Sequence, residues 1–227
     1  MGDHIDRLSG TPWSEPGTVA GFAQSAPNPQ LVHYAARQRG RSPLQILDIG
    51  CGAGRNAVPL ALSGAGVLGT DLSWPMLVAA KARDAGGRLR LAVSPMDALP
   101  VRDRSIDLVI AHGIWNLAKS SDEFRCAIRE AARVAARDAR LFVFTFSRTT
   151  LPPDAQPVAG EAFVFTQFSG HPQVFLTLDQ LVEELHLVGF EADRDLPLRE
   201  LNVPPPGQVR MGGAPVIFEA GFRFAGE

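Results

Sequence analysis

Two carboxylates and a run of glycines carry the first chemical signal in this chain. Asp48-Ile49-Gly50-Cys51-Gly52-Ala53-Gly54 sets an acid directly before a Gly-x-Gly-x-Gly loop, and Asp71 closes the next apolar run. Such glycines let the backbone turn sharply and let a ligand approach without Cβ contacts. The dinucleotide pattern Gly-x-Gly-x-x-Gly needs glycine where Arg55 stands, and no Gly-Lys-Ser/Thr follows, which excludes a P-loop. An acid at position 48 opposes a pyrophosphate but favours a ligand carrying an ammonium and a sulfonium cation. An acid at position 71, at a strand end, accepts hydrogen bonds from both hydroxyls of a ribose. The chemistry implied is recognition of a cationic nucleoside.

Other residues with chemical capacity lie further along. His112 follows an apolar strand, in Ala111-His112-Gly113-Ile114-Trp115-Asn116. A lone histidine there is either a hydrogen-bonded packing residue or a ligand contact, with direct catalysis the sharper reading. Trp13 and Trp115 are either core aromatics or pocket lining. Arg148 meets an anionic acceptor or solvent. His171, with Phe168 and Phe175, sits in an irregular stretch that either shapes an acceptor pocket or packs its own loop. Asp107 opens a strand, at the wrong end of a sheet for ligand binding, and is read as structural.

These residues need a scaffold, and the pattern supplies one. Asn28 caps a helix with Pro29 at its first position, Leu31, Tyr34 and Ala35 on its apolar face and Gly40 past its end. Strands are expected at Leu44–Ile49, Gly66–Thr70, Leu89–Val93, Ile106–Ala111 and Leu141–Phe146. Helices are expected at Arg55–Ser63, Ser73–Ala85 and Ser121–Ala136, with Ser73 and Ser121 as caps. Strands separated by helices of this length imply parallel βαβ units in a doubly wound sheet. Residues 149–176 are irregular and rich in Pro, Phe and Gly. Thr177 and Gln180 then form a capping box for a helix ending at Gly189. Phe190–Asn202 and Val216–Phe224 read as two strands. The Pro- and Gly-rich link between them has no helical pattern, which implies antiparallel pairing. Residues 1–27 form an N-terminal arm, expected to be loosely structured and a candidate active-site lid. Residues 28–227 form one domain, with 149–176 an insertion expected to cover the acceptor site.

Composition narrows the class. The 227 residues include 45% hydrophobic and 20% charged, as in soluble globular domains, and the length suits one domain with a full core. A net charge of -2 argues against a nucleic-acid partner, because phosphate binding needs clustered Lys and Arg. Arg37, Arg39 and Arg41 form a short cluster at a helix end, suited to the helix dipole. Cys51 and Cys126 make neither a disulfide framework nor a zinc spacing, so no metal is expected. No segment resembles a signal peptide or reaches membrane-spanning length. A cytoplasmic protein without membrane contact, monomeric or homodimeric, is expected.

The chain resembles a known family at these motifs. Ile46-Leu47-Asp48-Ile49-Gly50-Cys51-Gly52-Ala53-Gly54 resembles motif I of the class I S-adenosylmethionine-dependent methyltransferases. Gly69-Thr70-Asp71-Leu72-Ser73 resembles the acidic motif that follows it. Ser94-Pro95-Met96-Asp97-Ala98-Leu99-Pro100 with Ser105-Ile106-Asp107-Leu108-Val109 resembles the adenine-binding loop and fourth strand. The resemblance spans about residues 44–148. It implies a Rossmann-like α/β fold with a doubly wound seven-stranded sheet, mostly parallel with an antiparallel C-terminal strand.

The resemblance also implies residue roles. Gly50, Gly52 and Gly54, with Cys51 between them, would lie under the methionine part of S-adenosyl-L-methionine. Asp48 would orient its amino group through water. Asp71, with Leu72 beside it, would hold the ribose. Asp97 would accept from the adenine amino group between Met96 and Ala98. His112 would lie near the methionine moiety and the transferred methyl. Trp13, Trp115, Asn116, Arg148 and His171 are the candidate acceptor contacts.

The resemblance implies methyl transfer by in-line displacement. There is no Asn-Pro-Pro-Tyr/Phe stretch after the fourth strand, no Pro-Cys pair and no clear metal trio, so the implied acceptor is a small molecule. It carries either a thiol or other soft nucleophile, or a natural-product hydroxyl or amine. Two other readings stand beside this one. The same fold hosts cofactor-binding proteins without methyl transfer, and aminopropyl transferases, the latter disfavoured by Asp48. An NAD-dependent oxidoreductase is disfavoured by Arg55.

Overall fold

The computed structural model describes residues 8, 10–38, 43–205 and 213–226. Gly40, Arg39 and Arg41 lie outside these. Five strands, β1 (Gln45–Ile49), β2 (Gly66–Asp71), β3 (Arg90–Val93), β4 (Ile106–His112) and β5 (Ala135–Phe146), run parallel. Between them lie α3 (Ala57–Leu62), α4 (Trp74–Arg83) and α5 (Ser121–Val134), preceded by α1 (Pro16–Gln24) and α2 (Pro29–Arg37). After β5 come a short hairpin, β6 (Val164–Phe165) and β7 (Gln173–Val174), then α6 (Leu178–Leu187), β8 (Phe190–Ala192), β9 (Arg199–Leu201) and β10 (Ile217–Phe224).

The main sheet runs β3-β2-β1-β4-β5-β10-β8, and β9 also pairs with β10. Strand β10 is antiparallel to β5, β8 and β9. The expected doubly wound, mostly parallel sheet with an antiparallel C-terminal strand is therefore present. The order reverses between β1 and β4, so the carboxyl ends of β1, β2 and β4 flank the crevice where open α/β sheets take ligands.

Period-two alternation builds both faces. Leu47, Val109, Leu141 and Val143 pack with Phe124 and Ile128 of α5 and Leu181 and Leu185 of α6. Their neighbours Ile46, Leu108, Ile110 and Phe142 face Leu31 and Tyr34 of α2, Val58 of α3 and Leu77 of α4. Local signals set the helix ends. Asn28 accepts from Gln30 N and Leu31 N, Ser73 from Met76 N, and Thr177 with Gln180 forms a complete capping box. Asp107 accepts from Gln45 N at 2.9 Å, at the strand ends opposite the crevice, as its structural reading required.

The structure corrects four local expectations. The arm is not loose throughout, because Pro16 starts α1 and Arg83 fastens its end by donating to Ala23 O and Ser25 O, both at 2.9 Å. Ser120, not Ser121, caps α5; Ser121 is buried inside the first turn and donates its N–H to Glu161. Ala135 and Ala136 belong to β5 rather than to the helix, since the chain is already extended there. The strand expected over Phe190–Asn202 is broken into β8 and β9. Asp193 turns the chain by accepting from Asp195 N at 3.0 Å, and Pro197 has no N–H to offer a ladder.

Candidate active site

The loop after β1 has left-handed backbone at its glycines, and Gly50 and Gly54 need it most. A Cβ on Gly50 (φ +66°) would lie 2.6 Å from Ile114 Cδ1, and one on Gly54 (φ +73°) 3.1 Å from Ala80 Cβ. A side chain at either place would meet both strain and collision. The loop is tied to the end of β2 by Asp71. Its carboxylate accepts from Gly52 N at 2.9 Å and from Ser73 N at 2.8 Å. One acid thus sets the loop's height and the start of α4 together. Leu72 is half-buried beside it.

Asp48 is 1% exposed, and its Oδ2 has no hydrogen-bond partner. Burial pushes its carboxyl up to about 7, against the pull of Arg55 and with a further push from Asp71. An orphaned buried carboxylate oxygen costs free energy unless a donor meets it. That suits an incoming ammonium. Cys51 is buried, packs against Gly69, and has its thiol pushed well up by burial, so it is a packing group without nucleophilic character. Beyond β3, Met96 is 9% exposed, while Asp97 and Ala98 are exposed in a turn closed by Ser94 Oγ donating to Ala98 O at 2.7 Å.

His112 ends β4 with its ring stacked on Phe144, centroids 4.1 Å apart. Asn28 Nδ2 lies 3.3 Å from Nε2, and Arg55 Nη2 3.1 Å from both ring nitrogens. Asn28 Oδ1 is occupied by the backbone of α2, so the amide must present its N–H to the imidazole. Burial, then the guanidinium of Arg55, drives the His112 pKa down to about 3. A neutral ring whose acceptor nitrogen already faces donors is a poor proton acceptor. The sharper catalytic reading of His112 gives way here to that of a wall residue.

The acceptor candidates scatter. Trp13 lies edge-on to Phe22, centroids 5.9 Å apart, and its carbonyl accepts from Ser73 Oγ at 3.0 Å. Phe22 in turn lies against Gly52, 3.7 Å from where a Cβ would be. Trp115 is wholly buried and packs on Phe124, so it is core and not pocket lining. Asn116 is 2% exposed with its Oδ1 unpartnered. Arg148 does not await an anion. Its guanidinium donates to the carbonyls of Leu151, Pro152, Pro153 and Ala155 and sits over Phe165. His171 is exposed in the β6–β7 turn. The insertion reaches the sheet through Phe168 and Phe175, which pack on Phe146 at the end of β5.

Sequence reasoning missed a polar chain behind His112. Glu219, 1% exposed on β10, accepts from Asn28 Nδ2 at 2.8 Å and from Arg199 Nη2 at 2.5 Å. A charged residue inside the apolar run Val216–Phe224 was the available signal. Arg55 had served only to exclude a dinucleotide pattern. Among the described residues, no cluster of His, Cys, Asp or Glu is placed to hold a metal, and no helix is long and apolar enough to cross a membrane.

Residues 47–143 match a family described as the methyltransferase domain. Over that segment, less than half of its length, the chain is similar to methyltransferase domains. Among curated relatives, a demethylmenaquinone methyltransferase of Corynebacterium efficiens is 36% identical over 109 residues, 48% of this chain and 44% of the relative. The chain thus spans less than half the length of that relative. Among solved structures, a SAM-dependent methyltransferase from Methanosarcina mazei superposes with a TM-score of 0.65 at 21% identity, covering 89% of this chain and all of that one. The [4+2]-cyclase SpnF superposes with a TM-score of 0.59 at 25% identity, covering 75% of this chain and 59% of the cyclase. The segment that matches the family contains the glycine loop, Asp71, Asp97 and His112.

Proposed function

We propose that the protein transfers a methyl group from S-adenosyl-L-methionine to a small-molecule acceptor by in-line displacement. The observation that carries this is the Gly52–Asp71 hydrogen bond, which fixes a glycine cradle and an acid at one strand-end crevice, with the orphaned Asp48 oxygen at the foot of the loop. When bound, the cofactor supplies an activated sulfonium methyl. Asp48 holds the ammonium, Asp71 the ribose, and Met96, Asp97 and Ala98 the adenine. Gly50, Cys51, Gly52 and Gly54 supply the cradle floor, with Leu72 at its rim. Trp13 and Phe22 cover the cradle from the N-terminal arm, which acts as a lid. His112 walls the methyl end while neutral. Asn116 and His171 are the acceptor contacts that keep this role, Asn116 from after β4 and His171 from the 149–176 insertion that is proposed as the cover.

The protein's contribution is alignment and exclusion of water rather than a strong general base. That fits an acceptor that is a soft nucleophile or is already deprotonated. The low net charge supports a protein that acts without nucleic acid, and the reading is of a cytoplasmic monomer or homodimer away from membranes. A second reading is favoured by one observation, the likeness to a protein named as a cyclase. On that reading the fold binds the cofactor without methyl transfer. Calorimetry with S-adenosylmethionine and its demethylated product, followed by an acceptor panel, separates them. Binding with transfer supports the main reading, binding without transfer to any acceptor supports the second, and no binding of either nucleoside sinks both.

A further inference from the structure

Every polar group of Asn28 is engaged, and its capping role does not account for the amide nitrogen. Its Oδ1 caps α2 by accepting from Gln30 N at 2.9 Å and Leu31 N at 3.2 Å, and its carbonyl accepts from Val32 N at 3.1 Å. Its backbone N–H donates to Asn56 Oδ1 at 2.9 Å, just before α3. The amide nitrogen serves none of these. It lies 2.8 Å from Glu219 Oε2 and 3.3 Å from His112 Nε2. An amide carries two N–H donors, one for each. Turning it over would set its oxygen against the Glu219 carboxylate and its nitrogen against two backbone N–H groups. Its orientation is therefore fixed from both ends.

Sheet register shows why a bridge is needed. His112 of β4 pairs with Phe144 of β5, Phe144 with Glu219 of β10, and Glu219 with Arg199 of β9. Strands lie about 4.8 Å apart, so His112 and Glu219 stand about 10 Å apart with Phe144 between them. Asn28, from the cap of α2, touches both. Arg199 holds the other oxygen of Glu219 through Nε at 2.9 Å. The contact with Asn28 also decides where a proton sits. Arg55 Nη2 is 3.1 Å from both ring nitrogens of His112 and cannot choose between them. Asn28 faces Nε2 alone. A ring nitrogen that receives a donor carries the lone pair, which leaves the proton on Nδ1. A hydrogen bond between the ring and its own backbone agrees, because Nδ1 is the ring nitrogen next to the main chain.

We propose that Asn28, anchored by Glu219, is a positioning residue for His112, and that it fixes the imidazole as the Nδ1–H tautomer with Nε2 closed to any incoming proton. The tautomer stands on hydrogen-bond geometry alone; its meaning for methyl transfer rests on the function proposed above. There it means that His112 offers the acceptor no base. The wall of the methyl end is held inert by a relay from β10 through the cap of α2, rather than by burial of the ring alone.

The test is nitrogen-15 NMR of the imidazoles in the ligand-free protein, with the His112 signals assigned by comparison with His112→Gln. In the native protein Nε2 should give the signal of a bare nitrogen and Nδ1 that of an N–H. Both should stay unchanged from pH 5 to 8, since the His112 pKa is about 3. Asn28→Asp keeps an N-cap oxygen of equal quality and removes the donor. A carboxyl there, ionised or sharing a proton with Glu219, faces Nε2 as an acceptor, so the ring proton should move to Nε2. Asn28→Ser also keeps the cap but is too short to reach the ring, and should give a mixture of the two tautomers. A native Nε2 that carries a proton overturns the inference, and that arm needs no variant to fold. A ring left unchanged by Asn28→Asp overturns it too, since Asn28 is then a cap and nothing more. Failure of the native protein to bind S-adenosylhomocysteine would instead remove the proposed function and leave the tautomer result standing.

Discussion

The carboxyl ends of β1 and β2 and the carboxyl end of β5 are neighbours in one sheet but are built differently. At the first, the atoms proposed to hold the cofactor are the ones that hold the structure. Asp71 shapes the loop through Gly52 N and Ser73 N, and the glycines admit a ligand by the same left-handed turns that avoid Ile114 and Ala80. At the second, the polar groups are spent on the protein itself. Arg148 is consumed by four carbonyls and Phe146 by the aromatics of the insertion. The donor half is a fixed device with short-range connections. The proposed acceptor half is a loop held in place by its own contacts.

That contrast is open to direct attack. The largest effect is expected at Asp71. Asp71→Ala should weaken S-adenosylhomocysteine by about 1–3 kcal/mol, because a charged acceptor is lost and two backbone donors are released at once. Affinity within twofold of native would mean that the loop does not depend on its acid, and the contrast would fail on the donor side.

A step smaller is the pH response of Asp48. Its carboxyl is raised to about 7 by burial, opposed by Arg55 and reinforced by Asp71. A raised carboxyl binds more protons folded than unfolded between its ordinary value and about 7, so the ligand-free protein loses stability as pH rises through that window. An ammonium ligand needs the ionised form. Cofactor affinity should therefore rise by up to about tenfold per unit toward pH 7 and level off above it. Asp48→Asn should flatten that profile. A native profile flat from pH 5 to 8 would remove Asp48 from the donor side.

The smallest effect on binding is expected at Arg148. Arg148→Ala should lower thermal stability by about 1–2 kcal/mol, through lost carbonyl contacts and lost stacking on Phe165. S-adenosylhomocysteine affinity should stay within twofold. A tenfold loss of cofactor affinity in a well-folded variant would show the halves to be coupled and blunt the distinction.

The same division explains what could be read from residue order. Donor-side features are local in sequence. Asn28 and Ser73 act on N–H groups a turn away, and each was legible as a cap. The first five strands were legible because their alternation is tied to flanking helices of regular length. Other features depend on partners far along the chain. Nothing near Arg148 announces that the following loop would curl back to present its carbonyls. Trp115 is core because Phe124 and the insertion close over it. The choice of Ser120 over Ser121 rests on Glu161, forty positions later, claiming the N–H of Ser121. The break between β8 and β9 follows from Asp193, which also accepts from the Tyr34 hydroxyl at 2.7 Å. His112 was visible as a candidate site residue, but its neutrality comes from burial and then from Arg55, neither of which residue order displays.

The place of β10 has a further consequence, in time rather than in space. It is the last strand of the described chain, yet it sits inside the sheet between β5 and β8. During synthesis, β5 waits with an open edge until Ile217–Phe224 has emerged. Glu219 arrives with that strand, and Asn28 gains its carboxylate partner only then. The wall behind His112 is therefore assembled from segments 191 positions apart along the chain. The glycine loop is complete without β10, whereas the polar support behind His112 needs it.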